Sequence, residues 1–188
     1  MKLLLINACA RKESRSKKLA EKLTDKWDGE LETLNLYEEN LPVLDEVNIE
    51  KRGEAVENND MNNPYMKYAV QFRDADVIVM AAPFWDMGFP AILKTYIETI
   101  MLTGITFSYS PEGYPMGLCH AKKLIYVTTA GGPILPQEFG YSYIHMLATQ
   151  MWGIKDCHCI KAEGLDIIGA DVDTILSKAE EEIADFTF

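Results

Sequence analysis

Short stretches rich in apolar residues, three of them nearly continuous, alternate along this chain with segments whose apolar residues recur every three or four positions. The runs cover residues 2–6, 31–36, 76–82, 123–129 and 157–162. They are short and rich in Val, Ile and Leu, as strands covered on both faces should be. The helical spacing covers residues 14–27, 65–73, 90–102, 138–151 and 171–186. In the first of these, Leu19, Leu23 and Trp27 fall on one face. Pro90 opens another at its first turn, where a missing N–H costs nothing. Residues 104–109 read as an extended excursion, closed by the turn residues 111–115. Residues 38–63 are polar and acidic, with Pro42, Gly53 and an Asn-rich cluster at 58–63. That is too long for an ordinary connection, so the stretch is expected to be functional or mobile, a cover over a neighbouring site. Alternating β and α with five apolar strands predicts an α/β, doubly wound parallel sheet of five strands in the order 2-1-3-4-5, with helices on both faces.

Composition narrows the picture. A chain of 188 residues suits one domain spanning 1–188. The net charge of −11 argues against nucleic acid and anionic membranes, which demand basic surfaces. No run approaches a membrane span. The N-terminus is too short and too soon polar for a signal peptide, so a cytoplasmic protein is expected. Against the acidic background, residues 11–18 carry five bases and one acid. Such an island is a candidate phosphate site or a solvated helix start. The four cysteines, Cys9, Cys119, Cys157 and Cys159, fit no zinc spacing, and no metal site is expected. Strand alternation puts Cys157 and Cys159 on one face, toward the core.

In such a sheet, ligands bind beyond the carboxyl ends of the strands, at the switch between strands one and three. Three loops should meet there. After strand one comes Ser14-Arg15-Ser16 at a helix start, where a serine cap, free N–H groups and the helix dipole favour a phosphate. No G-x-G-x-x-G or Walker sequence is present. After strand three comes Pro83-Phe84-Trp85-Asp86-Met87-Gly88-Phe89-Pro90, held stiff by its prolines. Its aromatics can wall a flat ring such as a flavin, and the N–H groups of Trp85 to Met87 can address the ring's edge; equally, aromatics anchor cores and interfaces. After strand four comes Thr129-Ala130-Gly131-Gly132, where glycines permit close approach of a ligand or simply make a turn.

These residues resemble the FMN-dependent NAD(P)H dehydrogenases of flavodoxin-like fold, the quinone reductases and azoreductases. The resemblance is carried by residues 82–86 and 90–98, by 104–109 with Gly113 and Gly117, by Lys122-Lys123, by Gly131-Gly132 and by Ser14-Arg15-Ser16. It implies non-covalent FMN, NADH or NADPH as donor, a quinone or azo acceptor, ping-pong hydride transfer and a homodimer with the site at the interface. It implies no catalytic side chain, the flavin carrying the chemistry. By position, Ser14, Arg15 and Ser16 would bind phosphate; Pro83, Phe84, Trp85, Asp86 and Met87 would line the ring; Thr129, Ala130, Gly131 and Gly132 would follow its pyrimidine edge. The chain departs from the family in having Asp86 where Asn is usual and Thr129-Ala130 where azoreductases carry Ser-Arg. An electron-transfer flavodoxin, or a non-enzymatic protein retaining the fold, are the alternatives. His145, Tyr141 and Tyr143 are further groups able to protonate an acceptor.

Overall fold

The computed structural model describes residues 1–135 and 139–188. In chain order these form β1 (Lys2–Asn7), α1 (Arg15–Thr24), β2 (Glu30–Asn35), α2 (Glu46–Glu57), α3 (Lys67–Asp74), β3 (Val77–Ala81), α4 (Ala91–Ile100), the hairpin β4 (Phe107–Tyr109) and β5 (Pro115–Gly117), β6 (Lys123–Thr129), α5 (Tyr141–Leu147), β7 (Asp156–Ala162) and α6 (Val172–Asp185). The main sheet runs β2-β1-β3-β6-β7 with every pair parallel. With the hairpin set aside this is the order 2-1-3-4-5 of a flavodoxin-like sheet.

Both faces of the sheet are covered, and the central strands β1, β3 and β6 are buried on both, which is why they are apolar almost throughout while the edge strands β2 and β7 are mixed. Leu3, Leu5, Val77, Val79, Ile125 and Val127 point toward α1 and α6, meeting Leu19, Leu23 and Ile183. Their neighbours Leu4, Ile6, Ile78, Met80, Leu124 and Tyr126 point the other way, toward Phe72 of α3, Tyr96 of α4, Ile144 of α5 and Trp152. A period of two with apolar residues in both phases produces the continuous runs seen in the sequence. Leu19 and Leu23 of the predicted first-helix stripe are buried; Trp27 lies beyond the helix and packs its ring edge on Phe188 at 5.1 Å.

Two expectations change. Residues 38–63, expected to be functional or mobile and assigned no helix, contain α2 over 12 positions. Its start is capped by Asp45, whose Oδ1 accepts from Asn48 N at 2.8 Å, and Arg52 Nη1 donates to the carbonyl of Glu98 at 3.1 Å. Only Ala55 is buried while Val47 and Ile49 are exposed. The helix therefore has almost no apolar stripe by which periodicity could reveal it. The helix expected over 138–151 begins at Tyr141, and Glu138 lies outside the described residues. It widens at Ala148–Trp152 into a π-helical turn and stops at Gly153, φ 79°.

Gly53 in α2 tests the helix directly. An added Cβ would meet nothing within 4 Å, so Gly53→Ala is expected to stabilise by about 1 kcal/mol. In a chain of this size that raises the melting midpoint by about 2–4 °C. An unchanged or lower midpoint would mean that α2 does not form in solution.

Candidate functional site

The chain leaves β1 toward one edge of the sheet and β3 toward the other, so a crevice opens above their carboxyl ends. A cleft of about 390 Å³ lies there, lined by parts of four loops. Arg11, Ser14 and Arg15 come from the β1–α1 loop, and Pro83, Phe84 and Trp85 from the loop after β3. Thr129, Ala130 and Gly131 follow β6, and Leu165 and Asp166 follow β7.

One end gathers groups of the kind that can accept an anion. Ser14 caps α1, its Oγ accepting from Lys17 N at 3.5 Å, and the N–H groups of Arg15 and Ser16 have no intrahelical acceptor. Two guanidinium groups, Arg11 and Arg15, stand at the same end. Acids also reach it. Lys18 holds the Glu13 carboxylate at 2.5 Å and keeps it ionised below the usual carboxylate range. Arg15 Nη1 donates to Asp166 Oδ1 at 3.0 Å. Asp166 also lies directly over Gly131, where an added Cβ would come within 2.4 Å of Oδ2.

Backbone and hydroxyl bonds fix the loops relative to one another. Phe84 N donates to Thr129 O at 2.9 Å, Ala130 N to Ala162 O at 2.9 Å and Asp166 N to Gly131 O at 2.9 Å. Ser16 Oγ and Thr129 Oγ1 share a buried hydrogen bond of 2.8 Å. Ser16 is wholly buried, so its hydroxyl braces α1 against β6 behind the cleft rather than facing it. Cys9, next along the β1 loop, is buried with its thiol pushed up by desolvation.

The aromatic loop turns at Asp86-Met87. Trp85 N donates to Gly88 O and Gly88 N to Trp85 O, both at 2.9 Å, closing a two-residue reverse turn. Asp86 and Met87 take φ of 49° and 67°, the left-handed pair of a type I′ turn. Asp tolerates this region; Met has no compensating hydrogen bond and carries strain there. The N–H of Trp85 is spent inside the turn. Those of Asp86 and Met87, and of Gly131 and Gly132, bond to none of the described residues. Asp86, Met87 and Gly132 lie at the rim, outside the cleft's lining. Met87→Gly should relieve the strain and stabilise by about 1 kcal/mol, net of the entropy glycine adds to the unfolded chain. Calorimetry showing no gain would mean that the turn is not left-handed in solution.

Of the twelve sequence-predicted site residues, eight line the cleft: Ser14, Arg15, Pro83, Phe84, Trp85, Thr129, Ala130 and Gly131. Glu13, Leu165 and Asp166 line it too and were not singled out, and Arg11, noted only as part of the basic island 11–18, joins them. The loop after β7 was the one passed over. Its signal was there in Gly164 and Gly169, which flank it at φ 80° and 82°. His145 lies one turn along α5 from Tyr141, with ring centroids 5.8 Å apart, and neither it nor Tyr143 lines the cleft. Among the described residues no cluster of three His, Cys, Asp or Glu could hold a metal, and no helix is long and apolar enough to cross a membrane.

The comparisons with known proteins agree with this architecture. Residues 1–186 match the profile of a family described as having a flavodoxin-like fold. A Clostridium acetobutylicum protein named FMN-dependent NADH:quinone oxidoreductase 2 is 38% identical, the match covering 98% of this chain and 99% of that one. A Clostridium beijerinckii protein named FMN-dependent NADH:quinone oxidoreductase is 37% identical over 95% of this chain and 93% of its own length. The crystal structure of an azoreductase from Bacillus anthracis superposes with a TM-score of 0.82 at 28% identity, covering 98% of this chain and 97% of that one. The chain belongs to the family of flavodoxin-like fold, among relatives named FMN-dependent NADH:quinone oxidoreductase.

Proposed function

We propose that the protein is an FMN-dependent NADH:quinone oxidoreductase whose FMN lies in the cleft above β1, β3 and β6. The observation that carries this is the cleft's polarity. A cationic helix start forms one end and a stiff aromatic loop walls the ring end, at the crossover of the sheet. The donor set fits the cofactor: Arg11, Arg15, the Ser14 hydroxyl and the first N–H groups of α1 suit a phosphate. Phe84 and Trp85 suit the faces and edges of a flat ring. The free N–H groups of Gly131 and Gly132 suit its carbonyl oxygens. Ser16 and Thr129 serve by bracing these parts.

FMN, when bound, supplies the two-electron chemistry between a reduced nicotinamide and a quinone. The chain's own residues hold, orient and shield it. Asp86 offers an acceptor at the rim, where the family's usual Asn would offer a donor as well. The relatives' names favour NADH as donor. Reduction of azo compounds is a second reading, favoured by the likeness to the azoreductase structure; nothing in the relatives' names favours an electron carrier or a non-enzymatic role.

A homodimer suits the surface around the cleft. Met87 and Phe139 are both largely exposed, and Phe139's carbonyl oxygen would stand 3.4 Å from a Cβ added at Gly88, next to Met87; large apolar side chains grouped in this way mark contact surfaces. The cytoplasm is the compartment this reading places it in, because the donor is supplied there.

Purified protein titrated with FMN should bind one equivalent. Anaerobic NADH should then bleach the flavin, and a quinone should restore its colour. The same sample should sediment as a dimer. Failure to bind FMN sinks the reading; binding without bleaching would point instead to a flavodoxin-type carrier.

A further inference from the structure

A carboxylate lies between the two ends of the cleft. It belongs to Asp166, on the loop after β7, and backbone bonds zip that loop onto the one after β6. Gly164 N donates to Gly132 O at 3.1 Å, Leu165 N to Ala130 O at 3.1 Å and Asp166 N to Gly131 O at 2.9 Å. Gly164 makes the bend that starts this ladder, at φ 80°, where a residue with a Cβ would be strained. The Cβ, Cγ and Oδ2 atoms of Asp166 all lie within 3.1 Å of the point that a Cβ on Gly131 would occupy. Glycine at 131 is therefore what admits this side chain to the cleft lining.

The two oxygens of the carboxylate are used differently. Oδ1 accepts from Arg15 Nη1 at 3.0 Å, on the α1 side. Oδ2, over Gly131, accepts from none of the described residues. A carboxylate accepts about four bonds over its two oxygens and donates none. In the open cleft solvent meets that capacity, the side chain being 70% exposed. A ligand that fills the cleft displaces this solvent and must offer donors in its place, because an acceptor stripped of water and left unbonded is costly.

We propose that Asp166 binds the ribityl hydroxyls of FMN and so makes the cleft selective for a flavin with a polyol linker. This role rests on FMN occupying the cleft. Asp166 touches Arg15, one of the groups suited to the phosphate, and Gly131, one of those suited to the ring's edge. The part of FMN that joins phosphate to ring is a chain of hydroxyl-bearing carbons, the donors that Oδ2 lacks. Hydroxyls bonded to a carboxylate make short, charge-assisted bonds, whereas an apolar linker would cover the carboxylate and satisfy none of it. Through Oδ1 the same side chain is a rival of the phosphate for Arg15. The two roles separate, because only the first depends on the linker's hydroxyls.

The test titrates the full, flavin-free chain by calorimetry with FMN and with a flavin phosphate whose linker is a plain pentyl chain. Both ligands carry the same ring and phosphate, so the ratio of their affinities isolates the hydroxyls, and the contest for Arg15 cancels in it. Wild type should prefer FMN, and Asp166→Ala should cut that preference about tenfold, the smaller end of what bonds to a charged group contribute. Asp166→Asn keeps an acceptor oxygen and should keep most of the preference while both ligands tighten. A ratio unchanged in Asp166→Ala overturns the proposal, whether or not the absolute affinities move. In wild-type protein loaded with FMN, NMR contacts between the ribityl protons and the Asp166 β-protons are expected, and their absence overturns it equally. Tight FMN binding with an unchanged ratio would remove this role and leave FMN in the cleft. Failure of the wild type to bind either ligand would sink the flavin itself, and this role with it.

Discussion

Replacing Gly117 by alanine is expected to lower the melting midpoint by about 10 °C, the largest stability effect foreseen for a single methyl group in this chain. Gly117 ends β5, where the hairpin excursion lies against the π-helical turn after α5. A Cβ built there would stand 2.2 Å from Gly153 N, 2.2 Å from the carbonyl carbon of Trp152 and 2.4 Å from its oxygen. All three are backbone atoms, so no side-chain rotation relieves the overlap. Moving them would disturb Trp152, a fully buried side chain whose ring packs on Phe72 at 4.7 Å and whose Nε1 donates to Met101 Sδ at 3.2 Å. Overpacking of this kind costs about 3 kcal/mol, which at about 2–4 °C per kcal/mol gives the expected fall. Thermal unfolding followed by circular dichroism checks it. A midpoint within two or three degrees of wild type, on the same scale, would mean that the excursion is not seated on the helix turn.

The second large effect falls on cofactor affinity, with opposite signs at the two ends of one ion pair. Arg15→Ala should weaken FMN binding about tenfold, the smaller end of what a charge-assisted bond contributes, because the side chain is 41% exposed and screened by solvent. Asp166→Asn should tighten it a few-fold, since the carboxylate that engages Arg15 in this structure would no longer compete with a phosphate. Fluorescence titration of FMN with each variant reads both. Equal affinities in wild type and Arg15→Ala would place the phosphate elsewhere. Weaker binding in Asp166→Asn would make that carboxylate a support of the site rather than a rival for its arginine.

The legible parts of the site were those whose chemistry lies close together in sequence. Ser14 and Arg15 sit at a helix start, Pro83 to Trp85 run straight out of β3, and Thr129 to Gly131 run straight out of β6, so strand patterning alone places them at one edge of the sheet. Ser16 illustrates the limit. Its spacing from Ser14 looks like a second phosphate donor, but helix rotation turns it inward to Thr129, 113 positions away. Asp166 was hidden for the same reason: the flanking glycines mark its loop but not the residue, whose importance comes from lying over Gly131 and beside Arg15. The left-handed turn at Asp86-Met87 was also illegible, because Met87 stands where such a turn usually demands Gly.

Periodic burial wrote the central strands and the two covered faces into the linear chain, because a strand apolar in both phases is one covered on both sides, and five such β-α repeats suggested the order and the convergence of loops. Contacts between residues far apart in sequence had to be seen in three dimensions. The clamp of Gly117 on Trp152 and Gly153 and the Arg15–Asp166 pair arise from packing, which depends on distances that no residue's own neighbours encode. The helix α2 belongs with them. Its apolar residues form no buried stripe, and Asp45 and the long-range bond from Arg52 to Glu98 hold it in place instead.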